Sequence, residues 1–182
     1  GGCLADDMGL GKTIEALALI LHRASQGPTL VAAPTSVCAN WVSEAQRFAP
    51  TLRPVRFGIN DLGRRDEVLK ALGPFDLAIC SYTLLQQEVD ALKDVPFATI
   101  VLDEAQAIKN AATKRSSAAM SLNGGFRMIC TGTPIENRLA ELWNLFRFIN
   151  PGLLGSEERF HERFVRPIEV ERDQHASHIL KS

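Results

Sequence analysis

Short apolar runs alternate with longer amphipathic stretches along the chain. Thr29-Leu30-Val31-Ala32-Ala33, Phe75-Asp76-Leu77-Ala78-Ile79-Cys80, Thr99-Ile100-Val101-Leu102 and Phe126-Arg127-Met128-Ile129-Cys130 are four to six residues long. That is the length of strands buried on both faces. Leu52 to Phe57 is a weaker candidate of the same kind. Between these runs, Ile14, Leu17, Ala18 and Leu21 recur at helical spacing and predict one apolar stripe. Val37, Trp41, Ala45 and Phe48 predict a second helix, and Leu139, Leu142, Trp143 and Phe146 a third. Gly27-Pro28, Pro50, Gly73-Pro74, Gly124-Gly125 and Asn150-Pro151-Gly152 fall between the runs as punctuation. Alternating strands and helices predict an α/β domain around a mostly parallel central sheet, flanked by helices. Past Gly155 the pattern changes to a charged helix, Ser156 to Val165, with Phe160 and Phe164 on one face and Pro167 behind it. The expected division is a lobe over 1–155 and a charged helix and linker over 156–182, without internal repeats.

Composition narrows the class. With 182 residues, of which 46% are hydrophobic and 23% charged, the chain has enough apolar surface for a real core. A disordered tail, a collagen-like repeat and a disulfide-dense mini-protein are excluded. Twenty Lys and Arg against 21 Asp and Glu leave a net charge of -1, so any nucleic-acid site has to be a local patch. Cys3, Cys38, Cys80 and Cys130 form no CxxC pair; three of the four sit in apolar runs, where Cys is usually a small buried hydrophobe, and a reducing, intracellular compartment is expected. No stretch reads as a signal peptide or a membrane span, so no membrane partner is expected. The abrupt start at Gly1-Gly2-Cys3-Leu4 and the charged stretch Glu169 to Ser182 point to a segment of something longer.

Three clusters carry candidate chemistry. Asp7, Met8, Gly9, Leu10, Gly11, Lys12 and Thr13 follow the apolar Cys3-Leu4-Ala5 and open the first helix. This is the strand, glycine loop and helix setting of a phosphate-binding loop: backbone N–H groups turn onto phosphate oxygens, a Lys reaches the outer phosphates and a Thr hydroxyl meets Mg²⁺. The generic pattern has glycine where this chain has Asp6. Second, Asp103-Glu104 ends the run Ile100-Val101-Leu102. Asp103 is suited to hold Mg²⁺ and Glu104 to deprotonate a water that attacks the γ-phosphate. Adjacent carboxylates also serve as helix caps, but beside a phosphate loop about 90 residues upstream they supply the other half of a Mg·ATP site. Third, Thr131-Gly132-Thr133 stands at the end of another strand, either on the ligand-binding edge of an open sheet or in a plain turn before a helix. His161-Glu162 lacks a second His at metalloprotease spacing and reads as a solvated helix face.

These motifs together resemble the first ATPase lobe of the Swi/Snf family of helicase superfamily two. The resemblance rests on Leu4 to Thr13, Asp103-Glu104-Ala105-Gln106 with Ile108-Lys109-Asn110, Thr131-Gly132-Thr133-Pro134-Ile135-Glu136-Asn137 and the Leu142-Trp143 helix. Asp6 suits that family, which commonly has an acidic residue there, whereas Gln106 departs from its usual His. The resemblance implies a three-layer, RecA-like P-loop NTPase domain that uses ATP and Mg²⁺ as part of a motor on double-stranded DNA. Lys12 and the loop amides are then expected on phosphates, Thr13 and Asp103 on Mg²⁺, and Glu104 as the base. Gln106, Thr131, Gly132 and Thr133 are expected to relay the nucleotide state. Positions similar to the family's DNA-facing motifs are Pro34-Thr35-Ser36 with Asn40 and Trp41, and Ser81-Tyr82-Thr83. A second RecA-like lobe is implied as partner, supplying arginines not visible here, so the isolated lobe is expected to be nearly inactive. Location follows the source: nucleoid-associated cytoplasm in a bacterium, the nucleus in a eukaryote. Two alternatives stand beside this reading, a small-molecule phosphotransferase on the same loop and a non-catalytic nucleotide-binding interaction module.

Overall fold

A computed structural model describes residues 1–7, 9–58, 63–132, 139–172 and 179–180. Met8, Thr133 and the 134–137 part of the third motif lie outside the described residues, as do His175 and His178. In chain order the elements are β1 (Gly2–Leu4), α1 (Lys12–Arg23), β2 (Thr29–Ala33), α2 (Cys38–Phe48), β3 (Arg53–Arg56), α3 (Arg65–Ala71), β4 (Asp76–Ser81), α4 (Tyr82–Gln87), α5 (Val89–Leu92), β5 (Phe97–Asp103), α6 (Lys114–Ser121), β6 (Gly124–Cys130), α7 (Leu139–Ile149) and α8 (Glu157–Phe160). Two short 3₁₀ turns, Ala24–Gln26 and Ala105–Ile108, and a π-helical stretch, His161–Val170, complete the described elements.

The six described strands form one sheet in the order β1-β6-β5-β2-β4-β3, and every pairing in it is parallel. Leu4 and Asp103 both pair with Cys130, and Ala33 pairs with Ser81, so the strands end nearly level at one edge. Alternate residues of each strand point to opposite faces. Leu30, Ala78, Ile100 and Ile129 pack under α4, α6 and α7, whereas Val31, Ile79, Val101 and Met128 pack under α1 and α2. This is the three-layer α/β architecture that the run lengths predict.

Several local expectations shift. On α1 the buried stripe is Ala16, Leu17 and Ile20, while Ile14 and Leu21 are exposed. The helix is apolar at nearly every position from Ile14 to Leu21, so two stripes satisfy the spacing, and the one with the small Ala16 lies against the sheet. Phe48, expected on the buried face of α2, is exposed and lies under the Arg47 guanidinium. Gly124-Gly125 is part of β6 rather than a break before it. A Cβ at Gly124 would overlap the Ile100 side chain on the neighbouring strand, so any larger residue there forces that side chain to shift. The charged C-terminal helix continues through Pro167 in a π-helical register instead of stopping before it. A wider turn relieves the clash of the proline ring with the preceding turn. Glu171 N accordingly bonds Arg166 O, five residues back. This segment is tied to the lobe by a separate small cluster of Trp143, Phe160 and Val165.

Candidate nucleotide site and its neighbouring edge

Both candidate regions lie at the C-terminal edge of the parallel sheet, where open α/β sheets bind ligands. After β1 the chain turns through Asp6 and Asp7 to Gly9 and Gly11, which have φ of 86° and 91°. Gly11 caps α1 in the left-handed region, and space is open where a Cβ would stand. The Ile14 and Glu15 amides bond to Gly11 O, which fixes the first turn of α1 directly behind the loop. Lys12 Nζ donates to the carbonyl oxygens of Asp6 at 2.6 Å and Asp7 at 2.9 Å, so its ammonium is held across the mouth of the loop. Thr13 is half-buried beside it, while Asp7, Gly9 and Leu10 are exposed.

The acidic pair ends β5. Asp103 is 8% exposed; its Oδ2 accepts from Trp41 Nε1 at 2.8 Å and its Oδ1 from the Glu104 amide at 3.0 Å. Burial is the largest influence on this carboxyl and raises its pKa. The two N–H donors lower it, the Glu104 carboxylate raises it, and the Lys12 ammonium lowers it. Leu4 and Asp103 share the partner Cys130, so the loop after β1 and the acidic pair at the end of β5 flank the end of β6 at one edge. Glu104 has φ 49° and ψ 55°, a left-handed conformation costing about 1–3 kcal/mol in a non-glycine residue and typical of functional sites. Its Oε2 accepts from Gln106 Nε2 at 2.7 Å, and Gln106 Oε1 accepts from Thr131 Oγ1 at 3.1 Å. Thr131 is fully buried and its amide bonds Leu4 O, so this chain of hydrogen bonds joins the ends of β1, β6 and β5. Gly132 is half-buried next to it.

The residues present fit a nucleotide and a hard cation. Open space stands over the glycine loop, a Lys ammonium lies at its mouth, and a threonine hydroxyl and a buried carboxylate supply oxygen donors, the ligand type Mg²⁺ takes. The buried carboxyl also predicts a pH effect. A carboxyl whose folded pKa is raised favours folding while protonated. Its contribution is present below the ordinary 3.8 and is lost as pH rises through the raised value. In denaturant titrations without nucleotide, the stability of the native sequence relative to Asp103→Asn therefore falls across that window. A difference that does not change with pH contradicts the burial of a charge-bearing group there.

Farther along the same edge stand the loops after β2 and β4. Thr35, Ser36, Asn40 and Thr83 are exposed, and Pro34 and Ser81 are half-buried. Ser81 caps α4 by accepting from the Leu84 amide at 3.2 Å. Trp41 and Tyr82 are placed differently from the expected DNA-facing positions: their rings are 0% and 3% exposed. The Tyr82 hydroxyl donates inward to Asp103 O at 2.8 Å. Both residues are buried whole within the lobe. Between the ends of β2, β3 and β4 lies a cavity of about 270 Å³ lined by Thr35, Ser81, Thr83, Arg56 and Arg65 among others. The two arginines were not predicted; as isolated charges in sequence they carry no signal. Asn144 was also missed. Fully buried on α7, it donates to Ile108 O and to Ser116 Oγ at 2.8 Å, pinning the turn that carries Gln106.

Comparison with known proteins places this geometry. A model of the SNF2-related domain family matches residues 1–182. The chain is 46% identical over 178 residues to YwqA of Bacillus subtilis, covering 96% of this chain and 19% of that protein. It is 40% identical over 190 residues to the chromatin-remodeling ATPase INO80 of Arabidopsis thaliana, covering 97% of this chain and 12% of that one. The Sulfolobus solfataricus SWI2/SNF2 ATPase core, solved in complex with double-stranded DNA, superposes with a TM-score of 0.85 at 41% identity, over 98% of this chain and 37% of that chain. This chain thus spans about a fifth of YwqA or less than that of INO80, and over a third of the archaeal core. No helix among the described residues is long and apolar enough to cross a membrane. From Gly1 to Ser182, the chain belongs to the SNF2-related domain family.

Proposed function

We propose that this chain is the nucleotide-binding lobe of an ATP-driven motor acting on double-stranded DNA. The observation that carries the reading is the strand register, in which Leu4 and Asp103 share the partner Cys130 and Ala33 pairs with Ser81: the Lys12 loop and the Asp103-Glu104 pair stand at one sheet edge that also presents the Thr35-Ser36 and Thr83 loops. The relatives' names point the same way: INO80 is described as a chromatin-remodeling ATPase, and the archaeal core was solved with double-stranded DNA. Lys12 and the loop amides bind the phosphates of ATP, with Asp7, Gly9, Leu10 and Gly11 shaping the loop and Met8 completing the motif. Thr13 and Asp103 would hold Mg²⁺, which would supply positive charge against the phosphates. Glu104 orients a water and takes its proton, and the Gln106–Thr131 bond, with Gly132 and Thr133 beyond it, relays the state of that site. Residues 1–155 form this lobe, and 156–182 lead toward a second RecA-like lobe that supplies transition-state arginines. An intracellular location, on the nucleoid or in the nucleus according to the source, goes with such a substrate.

Duplex contact is assigned to Pro34, Thr35, Ser36, Asn40, Ser81 and Thr83, with Arg56 and Arg65 added from the cavity and the buried Tyr82 left out. Hydroxyls, amides and guanidinium groups at such an edge bind phosphate oxygens without reading sequence. Titrating a labelled duplex against the protein at several salt concentrations tests this. Arg56→Gln weakens binding alike for unrelated sequences and reduces the slope of log affinity against log salt by about 1. An unchanged slope removes Arg56 from the interface, and no duplex binding by the native protein overturns the reading.

A further inference from the structure

The two buried aromatic rings that left the expected DNA-facing edge both end on one residue. Trp41 reaches Asp103 from the α1/α2 face of the sheet, donating its indole N–H to Oδ2 at 2.8 Å. Tyr82 reaches it from the opposite face, donating its hydroxyl to the Asp103 main-chain oxygen at 2.8 Å. Asp103 is thus gripped by carboxylate and by backbone from two layers of the fold, and the Glu104 peptide follows directly.

Each ring is also attached tightly to one of the exposed loops. The Val37 and Cys38 amides bond Pro34 O at 2.9 and 3.3 Å, and the Trp41 amide bonds Val37 O, so a continuous run of backbone hydrogen bonds joins Pro34, at the start of the exposed loop, to Trp41. Tyr82 is the first residue of α4, immediately after its cap Ser81 and before exposed Thr83. A close-packed interior leaves these rings no slack, so a shift at either helix start displaces Asp103. We infer that Trp41 and Tyr82 are positioning residues that couple duplex binding at these two loops to nucleotide binding at the Asp103-Glu104 end of β5. The inference rests on the nucleotide and duplex reading above. It assigns a two-sided mechanical link, acting on the residue proposed to hold the cation.

The test is binding linkage in the full-length protein, with a fluorescent non-hydrolysable ATP analogue, Mg²⁺ and a 30-base-pair duplex. Nucleotide affinity is measured with and without saturating duplex, and duplex affinity with and without saturating nucleotide; the two ratios have to agree. The native protein is expected to show a coupling factor in the range of roughly 5 to 150. Tyr82→Phe removes only the hydroxyl, and Trp41→Phe removes the donor but keeps an aromatic ring. Both are expected to bring the factor toward about 1 while each ligand alone binds within about twofold of native affinity. Coupling retained in Tyr82→Phe overturns the proposal, as does a variant that loses both affinities together with its thermal transition, which marks a purely structural role. Should Trp41→Phe fail to fold, Tyr82→Phe decides alone. A native protein that binds both ligands with a factor of 1 refutes the link specifically. One that binds nucleotide but no duplex refutes the motor reading instead, and the link with it.

Discussion

Glu104→Gln, in a chain carrying both lobes, is expected to reduce duplex-stimulated ATP turnover by about 10²- to 10⁴-fold, the usual contribution of a positioned general base. Nucleotide binding should survive. The substituted amide keeps an oxygen to accept the hydrogen bond that Gln106 Nε2 now gives to Oε2 at 2.7 Å, so the link to Thr131 persists. What is lost is the ability to take a proton from water, from a residue already set at φ 49° by the turn Ala105–Ile108. Asn144 holds that turn through Ile108 O. Steady-state turnover, read against equilibrium binding of the ATP analogue, separates the two effects. Turnover within threefold of native would remove Glu104 from the role of base.

The second large effect concerns the second lobe proposed above. Residues 1–182 alone are expected to turn over ATP roughly 10³- to 10⁵-fold more slowly than a chain that carries a second lobe, because an arginine supplied across the active site contributes that much to phosphoryl transfer. The physical basis lies in the described charges near the loop. Lys12 is the cation that bonds within it, and Arg56 and Arg65 line a cavity between β2, β3 and β4 instead. Charge developing on the transferred phosphoryl group is then only partly compensated. Single-turnover measurements on both chains, at matched nucleotide occupancy, give the ratio. Equal rates would show that the lobe is self-sufficient and that its relatives' remaining length serves another purpose.

Legibility in the sequence followed a physical divide. Strands β2, β4, β5 and β6 were readable because a strand covered on both faces must be apolar throughout, whatever its neighbours are. Helices α4 and α5 were not, since six and four residues carry too little periodicity. α6 packs with Ala118, Ala119 and a buried Ser116, which leave no apolar stripe of large residues. The phosphate loop and the acidic pair were legible because local spacing and a preceding strand define them. Their mutual geometry was not, because it depends on register: Leu4 and Asp103 meet only through their shared partner Cys130. The inward turn of Trp41 and Tyr82 was hidden for the same reason, as Asp103 lies 62 and 21 residues away along the chain. A Trp or Tyr beside exposed hydroxyls reads equally well as a surface ring or a core ring. Only the packed sheet decides, and here it buries both rings with their polar atoms on Asp103.

The thiols illustrate a reading whose physical cause the structure supplies. Cys130, next to Asp103 in the register-matched strand, is pushed up to about 12, chiefly by burial and then by the Asp103 carboxylate. Cys80 is raised by burial as well, so neither is a thiolate at neutral pH. These are small core residues, as their apolar runs predicted.

The central claim, that a nucleotide site and a duplex-facing edge operate together in this lobe, is most directly tested by ATP hydrolysis rate against duplex DNA concentration in a chain extended through its second lobe. The account predicts a saturable rise in turnover with duplex that is absent in Glu104→Gln. Turnover unaffected by duplex, with ATP still bound, would contradict it.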